Sequence, residues 1–441
     1  MAIPGKTEVP IAIIGGGAAG VWQAAALSML GALDLTIVEP SEALGRGLAY
    51  STSNPGHLLN VTADKLDAHP LEGFEPFIPW LERHGMMAGE TYFPRKVYGD
   101  YMDAVVSAIR QRACLSHHVA RARSLTPVPG GFRVMLDNGD ELLAHQVVLA
   151  LGNLKPRRLA PIEMPGLAED PWNIPQAAMA GADEVVIAGT GLTAIDAVLS
   201  VANVSPNARF TLAANRPFMP PSDAKNVSWP GVADLTPDRP SRLWRSVIAG
   251  IRSNPEGDWI TVVEALKTRT AEFWQNWSPG DRATFARHGL RHWLHHRHRT
   301  PPPSHKMIAQ LIANRRLTLC RGRISSIRKA PSGLALRVGD REMTADLVIN
   351  ATGPSVDPRD EPLLSSALDD GLVTPDPLGL GLKVDLSGQS VTADGSPAKG
   401  LYILGAWTRG VFFEVVPIPM LRKHAMNIAS EASRHASWRS G

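Results

Sequence analysis

Four consecutive apolar residues, Ile11-Ala-Ile-Ile14, run straight into three glycines, after which the apolar pattern changes period. A short continuous apolar run bounded by glycine reads as a strand buried on both faces of a parallel sheet. Val21 to Leu30 is apolar and alanine-rich, as a helix laid on such a sheet would be, and Leu35 to Val38 gives a second strand closed by Glu39. The same succession returns from Glu184. Val185 to Ala188 is apolar, Gly189 and Gly191 follow, and a helix from Ile195 to Ala202 leads to a strand from Arg209 to Ala213. Gln146 to Asn153 and Asp346 to Pro354 each read as a buried strand ending in a small-residue turn, after short strands that begin near Arg123 and Arg323. An offset of 201 aligns Ala144 with Ala345, Val147 with Val348, Ala150 with Ala351 and Gly152 with Gly353. One structural plan is therefore expected twice.

The two copies differ in length. From first to closing glycine the first spans 137 residues, Gly15 to Gly152, and the second 164, Gly189 to Gly353. The extra length falls between about Pro217 and Pro303, where Ser241–Ser253, Trp259–Trp277 and Pro279–His298 read as helices. Six of the eleven tryptophans lie there: Trp229, Trp244, Trp259, Trp274, Trp277 and Trp293. The reading is a helical insertion at about 230–303 over a cofactor site, its tryptophans mostly filling its own core. Tryptophans left exposed in it would suit an oligomer. The expected domains are 1–170, 171–354 with the insertion, and a return to the first domain over 355–441. In that return Leu401–Leu404 reads as a strand, Gly405 to Gly410 as a turn, and Pro419 to Ala429 as the start of a last helix.

The glycines carry the chemistry. Gly15, Gly17 and Gly20 fit GxGxxG at the start of a helix, with Ala18 and Ala19 between. The first glycine permits the tight turn, the second lets backbone approach a pyrophosphate, and the third lets helix and strand pack closely. The helix N-terminus offers N–H groups and partial positive charge to the phosphates. Glu39, followed by Pro40, stands where a carboxylate would accept hydrogen bonds from ribose hydroxyls. In the second copy Gly189, Gly191 and Ala194 make a GxGxxA version, with Leu192 and Thr193 opening its helix. The strand that ended in Glu39 here ends at Ala213, with Asn215 and Arg216 close behind. A guanidinium in place of a carboxylate favours a 2′-phosphate and hence NADPH over NADH. The fold class expected is α/β with two Rossmann-like dinucleotide-binding domains, one for FAD and one for NADPH. Gly152, and Thr352 with Gly353, would let the closing turns approach the two cofactors.

Composition narrows the partners. The 441 residues are 44% apolar and 20% charged, the balance of a globular protein with a sizeable core. Lys plus Arg number 45 against 42 for Asp plus Glu, a net charge of +3 that gives no nucleic-acid or membrane footprint. No apolar run reaches the length of a membrane span. The first ten residues lack the marks of a secretory signal, so a cytoplasmic location is expected. Cys114 and Cys320, the two cysteines, stand 206 residues apart and form no CxxC pair. Without a dithiol relay, electrons must leave a flavin by another route, and molecular oxygen is the simplest.

Several longer motifs resemble one family. GGGAAG at 15–20, GRGLAYST at 45–52, HLLNVTA at 57–63 and FPRKVYGDY at 93–101 are followed by GTGLTAIDA at 189–197, RHRTPPP at 297–303, NATGP at 350–354 and LGAWTRGVFFEVVP at 404–417. In this order they resemble the FAD-NAD(P)-binding family of bacterial flavoproteins, distantly similar to N-hydroxylating flavin monooxygenases. The resemblance implies FAD in the first fingerprint and NADPH in the second, Gly405 and Gly410 beside the flavin, and oxidation of an amine or amino-acid nitrogen. It also implies a helix N-terminus after Pro419 facing the flavin. Thr62 departs from it, standing where the family commonly has proline, and Ala406 follows Gly405 where many two-dinucleotide reductases carry aspartate. FxGxxxH, the signature of Baeyer–Villiger and classical flavin monooxygenases, is missing around 150–166, which argues against those two groups.

The expected activity is an NADPH- and FAD-dependent monooxygenase acting with oxygen on a small polar metabolite. Two alternatives stay open: a flavin dehydrogenase or reductase passing electrons to a quinone, ferredoxin or organic acceptor, and a non-catalytic redox-responsive binding protein. His57, Asn60 and Arg95 are the catalytic candidates, with Asn60 and Val61 also read as FAD contacts. His57 may equally be read as a turn cap and Arg95 as a salt-bridge partner. Arg297 and Arg299 are candidates for an anionic substrate or the NADPH phosphates. His292 and His296 stand four apart, but with no HExxH and no carboxylate cluster nearby no metal is expected.

Overall fold

The computed structural model describes residues 6–86, 92–223, 232, 235, 238–253 and 259–434. The chain divides into two compact units, one made of 1–51, 62–154 and 356–441 and the other of 52–61 and 155–355. The first unit opens with β1 (Lys6–Ile14), β2 (Asp34–Val38), β3 (Cys114–His118), β4 (Ala122–Val128), β5 (Gly131–Leu136) and β6 (Glu141–Leu149). β1 lies between β2 and β6, parallel to both, and β3 extends the sheet beside β2. Ile11, Ala12 and Ile13 are all fully buried, which is why this strand reads as an unbroken apolar run. The helix Ala18–Met29 carries the chain from β1 to β2, and Arg95–Arg110 precedes β3. β4, β5 and β6 form an antiparallel meander continuous with the parallel strands.

In the second unit the chain forms β7 (Leu167–Ala168), β8 (Glu184–Ala188), β9 (Arg209–Ala214), β10 (Leu317–Arg321), β11 (Ile324–Lys329), β12 (Leu334–Val338), β13 (Arg341–Ala345) and β14 (Leu347–Asn350). A parallel sheet of order β10-β9-β8-β14-β7 is the core, with the helix Leu192–Val204 crossing from β8 to β9. Here the repeat is broken. β11, β12 and β13 make a separate three-stranded sheet, whereas the first unit runs its meander and closing strand together. At the break stands Asp346, the position that the 201-residue offset aligns with His145 inside β6. Its carboxylate accepts the backbone N–H groups of Asp183 and Glu184 at 3.0 and 2.9 Å, which ends β13 and starts β14 beside β8.

The insertion is helical but finer-grained than its periodicity suggests. Trp259–Trp277 parts into Trp259–Lys267 and Thr270–Asn276, and Pro279–His298 parts at Gly289 into Pro279–His288 and Leu290–Arg297. Trp274, Trp277 and Trp293 are buried, while Trp244 is half-exposed on Pro240–Ser253; Trp229 lies outside the described residues. No described helix is long and apolar enough to cross a membrane.

The chain then returns to the first unit with β15 (Gln389–Val391) and β16 (Pro397–Ile403). β16 lies parallel against β6 and completes the order β15-β16-β6-β1-β2-β3. The last helix, Ile418–Arg434, packs along Ala18–Met29.

Candidate functional site

At the end of β1 the glycines have separate duties. Gly15 has φ +103°, and a Cβ there would stand 2.4 Å from the Ala150 carbonyl oxygen; one on Gly20 would stand 1.9 Å from that of Gly15. Both are demanded by the protein's own backbone. Gly17 is not, since the nearest atom to its Cβ position is Gly47 Cα at 3.5 Å, an ordinary contact. It is the N-cap of Ala18–Met29, and no side chain caps that helix end. An uncapped helix N-terminus behind a glycine that packing does not need fits a phosphate group closely. Glu39 lies beside it, its carboxylate accepting the N–H groups of Gly16 at 2.8 Å and Ser41 at 3.0 Å.

The remaining residues of this cradle are less uniform. Gly152 and Gly405 have φ of +66° and +87°, and the Cβ position of Gly405 is 3.9 Å from Ala19 Cβ, which puts the end of β16 beside the first helical turn. Gly410 has a packing reason instead: a Cβ there would stand 2.3 Å from Asp376 Oδ1. Phe413 has φ 62° and ψ −59°, and the Glu414 N–H donates to the Phe412 carbonyl at 2.7 Å. That is a γ-turn of the rare strained hand, holding buried Glu414 behind it. The Phe412 ring lies 4.3 Å from the ring of His424, which is itself buried. Nothing in the sequence marks this turn.

The second unit repeats the cradle with one change. Gly189 has φ +129°, and a Cβ there would stand 2.2 Å from the Ala351 carbonyl oxygen. Gly191 is the uncapped N-cap of Leu192–Val204, with nothing within 4 Å of its Cβ position. Ala194 replaces the third glycine and is fully buried. Leu192 and Thr193 are half-buried at the helix start, while Asn215 and Arg216 are exposed just past β9. The closing turn is pinned by a residue the sequence reading passed over. Asn350 is fully buried; its Nδ2 donates to Glu169 Oε2 at 2.7 Å and to the Arg157 carbonyl at 2.9 Å. Its Oδ1 accepts from the Thr352 hydroxyl at 2.7 Å and the Thr352 N–H at 3.3 Å. Glu169 in turn accepts the N–H groups of Leu159 and Ala160. An asparagine closing an otherwise apolar strand, where the offset partner is Leu149, is the one signal that could have shown it.

The three catalytic candidates have distinct settings. His57, Asn60 and Val61 belong to the segment 52–61, which is counted with the second unit. His57 is buried, with Nε2 3.0 Å from the Asp196 carbonyl oxygen and Nδ1 2.8 Å from the Thr52 hydroxyl. A carbonyl only accepts, so Nε2 carries the proton and Nδ1 accepts from Thr52. The Ser200 hydroxyl also lies 2.8 Å from Nε2, and the Trp172 ring stands edge-on at 6.2 Å. Arg95 is buried as the first residue of Arg95–Arg110, behind Pro94. Burial pushes the nearby Tyr50 hydroxyl up to about 12, with the Arg95 charge opposing.

In the insertion Arg299 is buried, its Nε 3.1 Å from Glu264 and its guanidinium 5.3 Å above the Trp259 ring. Lys267 shares Glu264, and burial pulls its amine down to about 8 against that carboxylate. Arg297 is half-buried at the end of Leu290–Arg297. Among the described residues no group of three or more side chains comes together that could hold a metal.

Residues 12–154 match the model of a family described as FAD-NAD(P)-binding. No curated protein sequence is significantly similar to this chain. Among solved structures, the fold is similar to that of the Kutzneria sp. 744 ornithine N-hydroxylase, with a TM-score of 0.67, 15% identity, and 97% and 99% of the two chains covered. The ornithine hydroxylase of Pseudomonas aeruginosa gives 0.65 and 14%, covering 97% and 100%. The bacillithiol disulfide reductase of Staphylococcus aureus gives 0.60 and 14%, covering 97% and 99%. At such identities the likeness is one of fold, that of flavoproteins with two dinucleotide-binding domains.

Proposed function

We propose that the protein is an FAD- and NADPH-dependent monooxygenase acting on a small polar metabolite, with N-hydroxylation of an amine or amino acid as the finer reading. The observation that carries the cofactor part is the pair of uncapped helix N-termini behind Gly17 and Gly191, two glycines that the protein's own packing does not demand. Glu39 at one strand end and Asn215-Arg216 at the other support FAD in the first unit and NADPH in the second. Bound together, the two cofactors would supply hydride transfer and delivery of electrons to oxygen. The chain's part is to hold the phosphates on backbone N–H groups, to fix the turn after β14 through Asn350 and Thr352, and to order His57 in one tautomer.

The oxygenase reading is supported by the cysteines and by the fold neighbours. Cys114 is exposed on β3 and Cys320 is buried in β10 of the other unit, so no dithiol is built into the chain. One solved neighbour is an ornithine N-hydroxylase with reduced FAD, NADP+ and L-ornithine. A disulfide reductase among the neighbours favours the second reading, a flavin reductase serving an external acceptor. The two part on oxygen. Protein incubated with NADPH, 18O2 and a panel of amines and amino acids should consume oxygen and place one labelled atom in a product. NADPH oxidation that waits for an added quinone, ferredoxin or disulfide, with no label incorporated, would establish the reductase instead.

Gly191→Ala separates cradle from fold. Its φ is −81° and no atom is near the new methyl, so stability should fall by no more than about 1 kcal/mol, the N-cap preference for glycine over alanine. NADPH binding by calorimetry should nevertheless be lost, because the methyl occupies the space a phosphate needs. Unchanged NADPH affinity would show that no pyrophosphate lies there.

A further inference from the structure

The end of β9 has a neighbour that the sequence cannot show. β10 runs parallel beside it with Arg321 in register with Ala214, two residues before Arg216. The pairing continues past both strands, since the Gly322 N–H donates to the Ala214 carbonyl at 2.9 Å. Neighbouring strands lie about 4.8 Å apart, within the reach of two arginine side chains converging on one group.

Alternation also fixes the face of Arg321. Phe210 and Leu212 of β9 and Leu317 of β10 lie in the core cluster that holds Ala194 and Val198 of Leu192–Val204. Ala213 and Cys320 lie in the cluster on the opposite face, with Leu336 and Val338 of β12. Arg321 shares its parity with Leu317, so it falls on the face carrying the helix that starts at Gly191, and Arg216 lies in the bend two residues past Ala214, the residue in register with Arg321. Both arginines are exposed, and neither forms an ion pair among the described residues. The matching corner of the first unit, where the Glu39 N–H donates to the His118 carbonyl at 3.1 Å, holds a carboxylate instead.

We propose that Arg321 is a specificity residue of the second unit, forming with Arg216 a two-guanidinium clamp for the 2′-phosphate of NADPH. The inference rests on reading this unit as the NADPH site. A phosphomonoester at about pH 7, above its second pKa, carries close to two charges and has three acceptor oxygens, more than one guanidinium can satisfy. A second fork from the adjacent strand supplies the remaining donors without bringing in a carboxylate.

The test is calorimetric titration of the full chain with NADPH, NADH and 2′,5′-ADP. Arg321→Leu should weaken NADPH and 2′,5′-ADP about tenfold each and leave NADH unchanged. Arg216→Ala should do the same, and the double variant should bind the two dinucleotides alike. Arg321 is exposed at a strand end, so an unchanged melting temperature is expected throughout. If Arg216→Ala loses NADPH selectivity while Arg321→Leu keeps it, the clamp is overturned and the NADPH site stands. Equal weakening of NADPH and NADH by Arg321→Leu overturns it too, by showing a role away from the 2′-phosphate. A wild-type chain that binds neither dinucleotide removes the NADPH site itself, and the clamp with it.

Discussion

Asn350→Asp should cost the second unit about 3–5 kcal/mol at pH 8, the range for an uncompensated buried charge. The new side chain keeps an acceptor for Thr352 but loses both donors. One oxygen then faces Glu169 at the 2.7 Å now spanned by a hydrogen bond, and the site also holds the Arg157 carbonyl. Two carboxylates so close cannot both be ionised, and the pair takes up a proton. The sign follows from linkage. The folded pair has a raised pKa, so the folded state binds more protons than the unfolded one above about pH 4, and stability falls as pH rises through that window. Urea unfolding should therefore show the variant recovering much of its loss between pH 8 and pH 5, relative to wild type. Asn350→Leu should be destabilised without this recovery. A pH-independent deficit in Asn350→Asp would mean that Glu169 is not its partner.

His424 should dominate the acid limb of the first unit. Burial, aided by the charge of Lys423, pulls its imidazole down to about 4. Its Nδ1 has no hydrogen-bond partner among the described residues, so nothing compensates a proton placed there. In the unfolded chain the group titrates near 6.5. A base with a depressed folded pKa contributes stability above 6.5 that is lost as pH falls to about 4, roughly 3 kcal/mol in all. His424→Phe keeps a ring against Phe412 and cannot titrate. Between pH 7.5 and 4.5 its urea midpoint should fall markedly less than that of wild type. Parallel curves for the two proteins would place the sensitive group elsewhere.

These two residues show where the sequence was readable. β1, β2, β8 and β9 were legible because a strand buried on both faces must be apolar throughout, and glycines punctuate the ends of β1 and β8 even though the carbonyls that demand Gly15 and Gly189 belong to the distant Ala150 and Ala351. Asn350 and Glu169 were not, because they are separated by 181 residues and meet only through the fold. Asp346 looks like any surface acid until its carboxylate is seen ending one sheet and starting another. The approach of Asp376 to Gly410, from 34 positions earlier, leaves no local trace. The tryptophans of the insertion were counted correctly but could be sorted into buried and exposed only once the helix breaks were known. Arg216 stands out in the sequence by its place after a strand, whereas its neighbourhood with Arg321 needed the strand order.

The first unit is written in three separated stretches, and this bears on the order in which the protein can be made. β1 to β6 leave the ribosome early, yet β16 and the helix Ile418–Arg434 arrive last. Until then Val147–Leu149 of β6 have an unpaired edge and the helix Ala18–Met29 an uncovered apolar face. The second unit, apart from its ten-residue segment 52–61, is continuous from 155 to 355 and is complete in synthesis first. The nascent chain thus carries an open sheet edge through almost all of translation, the condition under which strands pair with the wrong partner. A chain ending near residue 355 would keep every glycine of both fingerprints and still aggregate.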